Sequence, residues 1–107
     1  MVAALTDVRD ISRIGYGFMA SRALFSALEA DVFGHLAAGP KPLDTLARDT
    51  GLAAPRLRPL LTACVALGLL ARDGDRYANS PASAAYLVRT APAYFGDYFR
   101  FQVARQI

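Results

Sequence analysis

Between Leu43 and Leu67 the apolar residues recur at three- and four-residue steps in two runs, the spacing of two amphipathic helices. Leu43, Leu46 and Ala47 share a face in the first, which Gly51 closes. Pro55 opens the second, whose stripe is Leu57, Leu60, Leu61, Cys64 and Leu67 and which Gly68 stops. The pattern then shortens. Leu69 to Arg72 and Arg76 to Asn79 flank the turn Asp73-Gly74-Asp75, which predicts a β-hairpin. Two helices followed by a hairpin make residues 42–79 read as a winged helix-turn-helix.

Ahead of this module a longer helical pattern runs from Thr6, as cap, to about Leu36, through Val8, Ile11, Ile14 and Phe18 and then Leu24, Leu28, Val32 and Leu36. Gly15 and Gly17 each cost a helix roughly 1 kcal/mol relative to Ala, so a bend or break is expected near them. Gly39-Pro40-Lys41-Pro42 interrupts helix and leads into the winged module. Ser80-Pro81 starts another helix, expected to reach Leu87 or Val88. Pro92 starts a last one, running to the terminus with Tyr94, Phe95, Tyr98, Phe99, Phe101 and Val103 around most of its circumference. The expected architecture is one mainly α domain over 1–107 with a small β wing. N-terminal helices occupy 1–38, the winged helix 42–79, and C-terminal helices 80–107.

Of the 107 residues 54% are hydrophobic, rich for a domain this small, so part of the apolar surplus is expected to cover a partner. Val8, Ile11, Ile14, Phe18 and Met19 lie ahead of a module that already fills its core with leucine. That stripe predicts a homodimer interface. Arg9, Arg13, Arg22 and Glu29 interrupt any membrane-length apolar run, and no basic segment precedes an apolar one. A soluble, cytoplasmic chain without membrane contact is therefore expected. The net charge of +3 is spread thinly and by itself does not imply nucleic acid. Cys64 is the lone cysteine and reads as a small core hydrophobe.

Residues able to do chemistry are sparse. His35 stands alone, so no histidine metal cluster or nucleophile-base set can be assembled. Asp7 with Asp10 suits a helix opening, and Asp73 with Asp75 suits a turn. Gly15-Tyr16-Gly17-Phe18 lacks both the spacing and the preceding strand of a dinucleotide loop. No catalytic, cofactor-binding or metal residue is expected in this chain. The second helix of the winged module offers Pro59, Thr62, Ala63 and Ala66 outward, with Arg56 and Arg58 at the rims. That is a poor face for reading bases, although Arg72 and Arg76 of the wing could hold phosphates, which leaves a DNA-binding regulator as an alternative. Pro59 is expected to distort the first turn of its helix.

Five segments in order, Gly17-Phe-Met-Ala-Ser-Arg-Ala-Leu, Ala30-Asp-Val-Phe-Gly-His-Leu-Ala-Ala-Gly-Pro, Leu46-Ala-Arg-Asp-Thr-Gly-Leu, Leu60-Leu with Leu67-Gly-Leu-Leu-Ala-Arg, and Tyr77-Ala-Asn-Ser-Pro-Ala-Ser, carry a family likeness. Together they resemble the N-terminal dimerisation domain of S-adenosylmethionine-dependent O-methyltransferases that tailor small aromatic natural products. The resemblance covers nearly the whole chain. It implies N-terminal helices interlocked with a second subunit, a winged helix serving as scaffold and not binding DNA, and catalysis and S-adenosylmethionine binding in a further domain absent from this sequence. By the same analogy Phe18, Met19 and Arg22 are the residues expected to reach a small aromatic substrate, with Arg22 orienting a phenolate or carboxylate. A stand-alone homologue that binds or transforms an aromatic polyketide-like ligand is the other alternative.

Overall fold

The computed structural model describes residues 4, 7–9, 11 and 17–103. Thr6, Ile14 and Gly15, named above as cap, interface and bend, lie outside them.

Helix α1 spans Gly17–Glu29 and buries Ala27 and Leu28, the C-terminal end of its apolar stripe. The helical pattern then breaks at Ala30 and Asp31 before a single turn, α2, over Val32–His35. This break was not expected, since no proline or glycine marks it. Asp31 adopts φ 55°, the left-handed region, and its side chain fills the space where a Cβ on Gly34 would sit, about 2.5 Å from Asp31 Oδ2. Aspartate tolerates that conformation and the missing Cβ of Gly34 makes room for its carboxylate. Arg89, from the far side of the chain, closes the corner by donating to the Leu28 carbonyl at 3.0 Å and lying 3.7 Å from Asp31.

The winged module forms as its pattern predicts. Helix α3 (Leu43–Thr50) ends on Gly51 at φ 76°, and α4 (Ala54–Ala66) carries Pro55 in its first turn. Pro59 is accommodated inside α4 on the exposed face, and the first turn tightens, with both Arg56 and Leu57 amides donating to the Ala53 carbonyl. Gly68 at φ 80° turns the chain into the wing, strands β2 (Leu70–Asp73) and β3 (Arg76–Asn79) around Gly74 at φ 63°. A third strand, missed in the sequence, is β1 (Lys41–Pro42), which completes an antiparallel sheet in the order β1-β3-β2 by pairing Lys41 with Tyr77 and Pro42 with Arg76.

One core joins these elements: Phe33 of α2, Leu46 of α3, Leu57 and Leu61 of α4, Leu70 of β2 and Tyr77 of β3 are buried together. Asn79 ties the sheet to α2 by donating to the Phe33 carbonyl at 2.9 Å. Helix α5 (Pro81–Tyr86) starts as read from the sequence, with the Ser80 hydroxyl accepting from the Ser83 amide. The last helix differs from the expected one. Residues 92 and 93 turn and 94 and 95 are irregular, so helix resumes only at Gly96 and continues as a π-helical turn, Tyr98–Val103. At Gly96, where helix resumes, the bare α-carbon packs against the Tyr94 ring and Leu28, where a Cβ would approach to 2.6 and 3.0 Å.

Candidate functional site

Helix α1 turns its N-terminal half outward. Phe18 and Met19 are 56% and 54% exposed, and Arg22, one turn further along, is exposed as well. Helices α1 and α4 pack with their ends reversed, so Met19 and Ala20 lie beside Ala63, Ala66 and Leu67. These five residues line an almost wholly apolar groove of about 470 Å³. The alanines of α4 explain its shape, because small side chains on the outward face let α1 approach and leave a trough above them. Leu67 was read as core from its spacing to Cys64, but it is 45% exposed. Helix α4 stops at Ala66 and Gly68 redirects the chain, so the last residue of the stripe tips over the edge of the core. Of the remaining residues expected at an interface, Val8 and Ile11 are also exposed, at 73% and 61%.

A second apolar surface follows from the C-terminal segment. Tyr86 and Phe95 meet edge-on at 5.5 Å between centroids, Phe95 and Phe99 at 5.3 Å, and Tyr98 and Phe99 edge-on at 5.6 Å. Tyr86, Phe95, Tyr98 and Phe101 all stay about half exposed. Beneath them a small recess of about 200 Å³ reaches Leu24, Leu69 and Leu87. Arg100 fixes this segment to α1 through Glu29 at 3.1 Å and also contacts Asp97 at 3.4 Å. Desolvation and a hydrogen bond to Asp97 push the Tyr94 hydroxyl pKa above its ordinary value.

Cys64, on the core face of α4, is wholly buried, and desolvation pushes its pKa up to about 11, which leaves it protonated and inert at neutral pH. No cluster of three metal-ligating side chains occurs among the described residues. What the molecule offers is apolar surface held on rigid helices.

The family model described as O-methyltransferase dimerisation domain matches residues 13–89. This chain belongs to that family. It is 47% identical over 92 residues to the tetracenomycin polyketide synthesis 8-O-methyl transferase TcmO of Streptomyces glaucescens, a match that covers 85% of this chain and 27% of that protein. It is 37% identical over 95 residues to the N,N-dimethyltransferase OxyT of Streptomyces rimosus, covering 89% of this chain and 28% of that one. The fold is similar to human N-acetylserotonin methyltransferase solved in complex with SAM, at 29% identity and a TM-score of 0.85, over 99% of this chain and 33% of that one. The chain thus spans about a quarter to a third of the relatives it matches. In a member of a dimerisation-domain family, an exposed apolar face on α1 has the character of an interaction surface.

Proposed function

We propose that this chain is the dimerisation and substrate-capping part of an S-adenosylmethionine-dependent O-methyltransferase that acts on small aromatic molecules. It pairs with a second copy of itself through Val8, Ile11, Phe18 and Met19. The observation that carries this reading is the open apolar groove of Met19, Ala20, Ala63, Ala66 and Leu67, together with the exposed Phe18 next to Met19 in the chain. Fully covering one large apolar side chain is worth about 1.5–3 kcal/mol, so a few such residues on each protomer supply a stable interface. Ile14, the remaining residue assigned to this interface, lies outside the described residues. Phe18, Met19 and Arg22 lie on the exposed face of α1, where an apolar wall and a guanidinium are presented together, and we assign them to the acceptor pocket of the assembled enzyme.

Methyl transfer and cofactor binding we assign to the rest of such an enzyme. The described sheet is wholly antiparallel and Gly17 opens a helix with no strand before it among the described residues. A Rossmann-type cofactor site is built on a glycine turn between a parallel strand and a helix, which supports assigning the cofactor elsewhere. The DNA-binding alternative is disfavoured by the outward face of α4, where the exposed Pro59, Thr62 and Ala66 offer little that reads a base edge.

Sedimentation equilibrium tests the pairing. A dimer at tens of micromolar is expected for the 107-residue chain, and a monomer with unchanged circular dichroism for Phe18→Asp combined with Met19→Asp. A wild type that stays monomeric overturns the reading, and a dimer indifferent to both substitutions moves the interface to the aromatic C-terminal segment. Calorimetry with S-adenosylmethionine is expected to give no saturable isotherm with this chain, and a Kd below about 100 μM would place a cofactor site within it.

A further inference from the structure

The seam between α1 and α4 has a second opening at its other end, where the C-terminal half of α1 faces the start of α4. A cleft of about 590 Å³ lies there, lined by Phe25, Ser26 and Glu29 of α1, by Thr50 at the end of α3 and Leu52 of the turn after it, and by Arg56 and Leu60 of α4. It shares no lining residue with the Met19–Leu67 groove. Its volume suits a molecule of one or two rings.

The polar groups around it are not equivalent. Glu29 is already matched by Arg100 at 3.1 Å, and Arg100 is held in turn by Asp97. The Thr50 hydroxyl is committed on both sides, donating to the Leu46 carbonyl at 2.7 Å and accepting from the Leu52 amide at 3.3 Å. Arg56 is exposed and makes no ion pair or side-chain hydrogen bond with another described residue. Of the two charged side chains that line the cleft, Glu29 is bridged by Arg100, and the Arg56 guanidinium is the one that no described residue pairs, set beside the half-buried Phe25, Leu52 and Leu60. A planar fork of donors next to apolar walls is complementary to a flat hydrophobic body that ends in one acidic group.

We infer that this cleft is a binding site for an aromatic monoanion, with Arg56 holding the carboxylate or sulfonate and Phe25, Leu52 and Leu60 enclosing the ring. The site is separate from the residues assigned to pairing and to the acceptor pocket.

Titration of the isotope-labelled 107-residue chain with biphenyl-4-carboxylate, followed by amide shifts, tests the assignment. Saturable shifts are expected over residues 25–30 and 50–60, with a Kd on the order of 1 mM, ordinary for a ligand of about fifteen non-hydrogen atoms. Biphenyl-4-methanol, which has the same rings without the charge, should bind about tenfold more weakly, as should the carboxylate with Arg56→Gln. Arg56→Lys should keep part of the difference. Equal binding of acid and alcohol, indifference to Arg56→Gln, shifts centred on Met19 and Leu67, or no saturation because a second copy of the chain covers the cleft would each overturn the assignment. The acid-against-alcohol comparison requires no variant, and sedimentation of Arg56→Gln reads pairing separately.

Discussion

Two populations of apolar residues occupy this molecule, and they differ in position more than in kind. Leu57, Leu61 and Phe33 are wholly buried and filled around by the sheet and α3, whereas Phe18, Met19 and Leu67 are about half exposed along the α1–α4 seam. The first group is satisfied within the chain; its burial pays the entropy of folding. The second group contributes only part of its burial to the isolated fold and leaves the rest as a free-energy gain available on association. A hydrophobic content of 54% is thus divided between an inner core that makes the winged scaffold and an outer face that uses it.

The sharpest way to break that division is to truncate one leucine from each population. Leu61→Ala removes atoms from a site with no exposed surface and should cost about 3–5 kcal/mol, a large part of the stability of a domain this size. Leu67→Ala should cost the folded monomer under about 1 kcal/mol, because the side chain is half solvated already. Its effect should appear in concentration dependence instead. A dimer melts at a temperature that rises with protein concentration, and Leu67→Ala should flatten that rise. Urea titration at several concentrations separates the two. Equal losses for both leucines at high dilution would show that Leu67 belongs to the core.

A smaller effect is expected at the boundary between the populations. Ser83 is buried among apolar neighbours at the recess under Tyr86 and Phe99, and its hydroxyl donates to the Leu69 carbonyl at 2.8 Å. Ser83→Ala should cost about 1 kcal/mol and no more, since the Leu69 carbonyl keeps the Ser80 amide at 3.2 Å and is not left unpaired. A loss above about 3 kcal/mol in thermal or urea unfolding would mean that the hydroxyl holds the aromatic segment in place as well as the turn.

How much of this was legible beforehand depends on the range of the interactions involved. The α3 stripe, the α4 stripe as far as Cys64, the glycines at 51, 68 and 74 and the Ser80 cap are local features, fixed by residues three or four apart, and each lies where its spacing puts it; Leu67, beyond the helix end, does not. Strand β1 was not legible because two residues, one of them proline, carry no period; what makes Lys41–Pro42 a strand is β3, more than thirty residues away. The corner at Asp31 depends on Arg89 reaching across the molecule, and the shortened C-terminal helix on Gly96 meeting Leu28. The exposure of Phe18 and Met19 could be anticipated from the surplus of apolar residues. Their neighbours Ala66 and Leu67 could not, and neither could the Arg56 cleft, which exists only where two helices meet.

The smallest predicted effect concerns how the added strand is held. Lys41 of β1 donates to Asp49 of α3 at 2.7 Å, a partly exposed pair that fastens the edge of the sheet to the helix beside it. The hydrogen bond from Lys41 outweighs desolvation and holds the Asp49 carboxyl below its ordinary pKa of 3.8. A carboxylate whose folded pKa is depressed binds protons more readily in the unfolded chain, so its contribution is complete above about pH 4 and is lost as pH falls through the folded value. Asp49→Asn should therefore lower the melting temperature slightly at pH 7, with the gap to wild type closing below about pH 4, and high salt should shrink the gap at neutral pH. The core leucines have no charge to titrate, so the deficit of Leu61→Ala should not close in this way. A gap between Asp49→Asn and wild type that persists unchanged at pH 2.5 would show that the asparagine disturbs packing, and that β1 is held by its backbone pairing with Tyr77 and Arg76 and not by the ion pair.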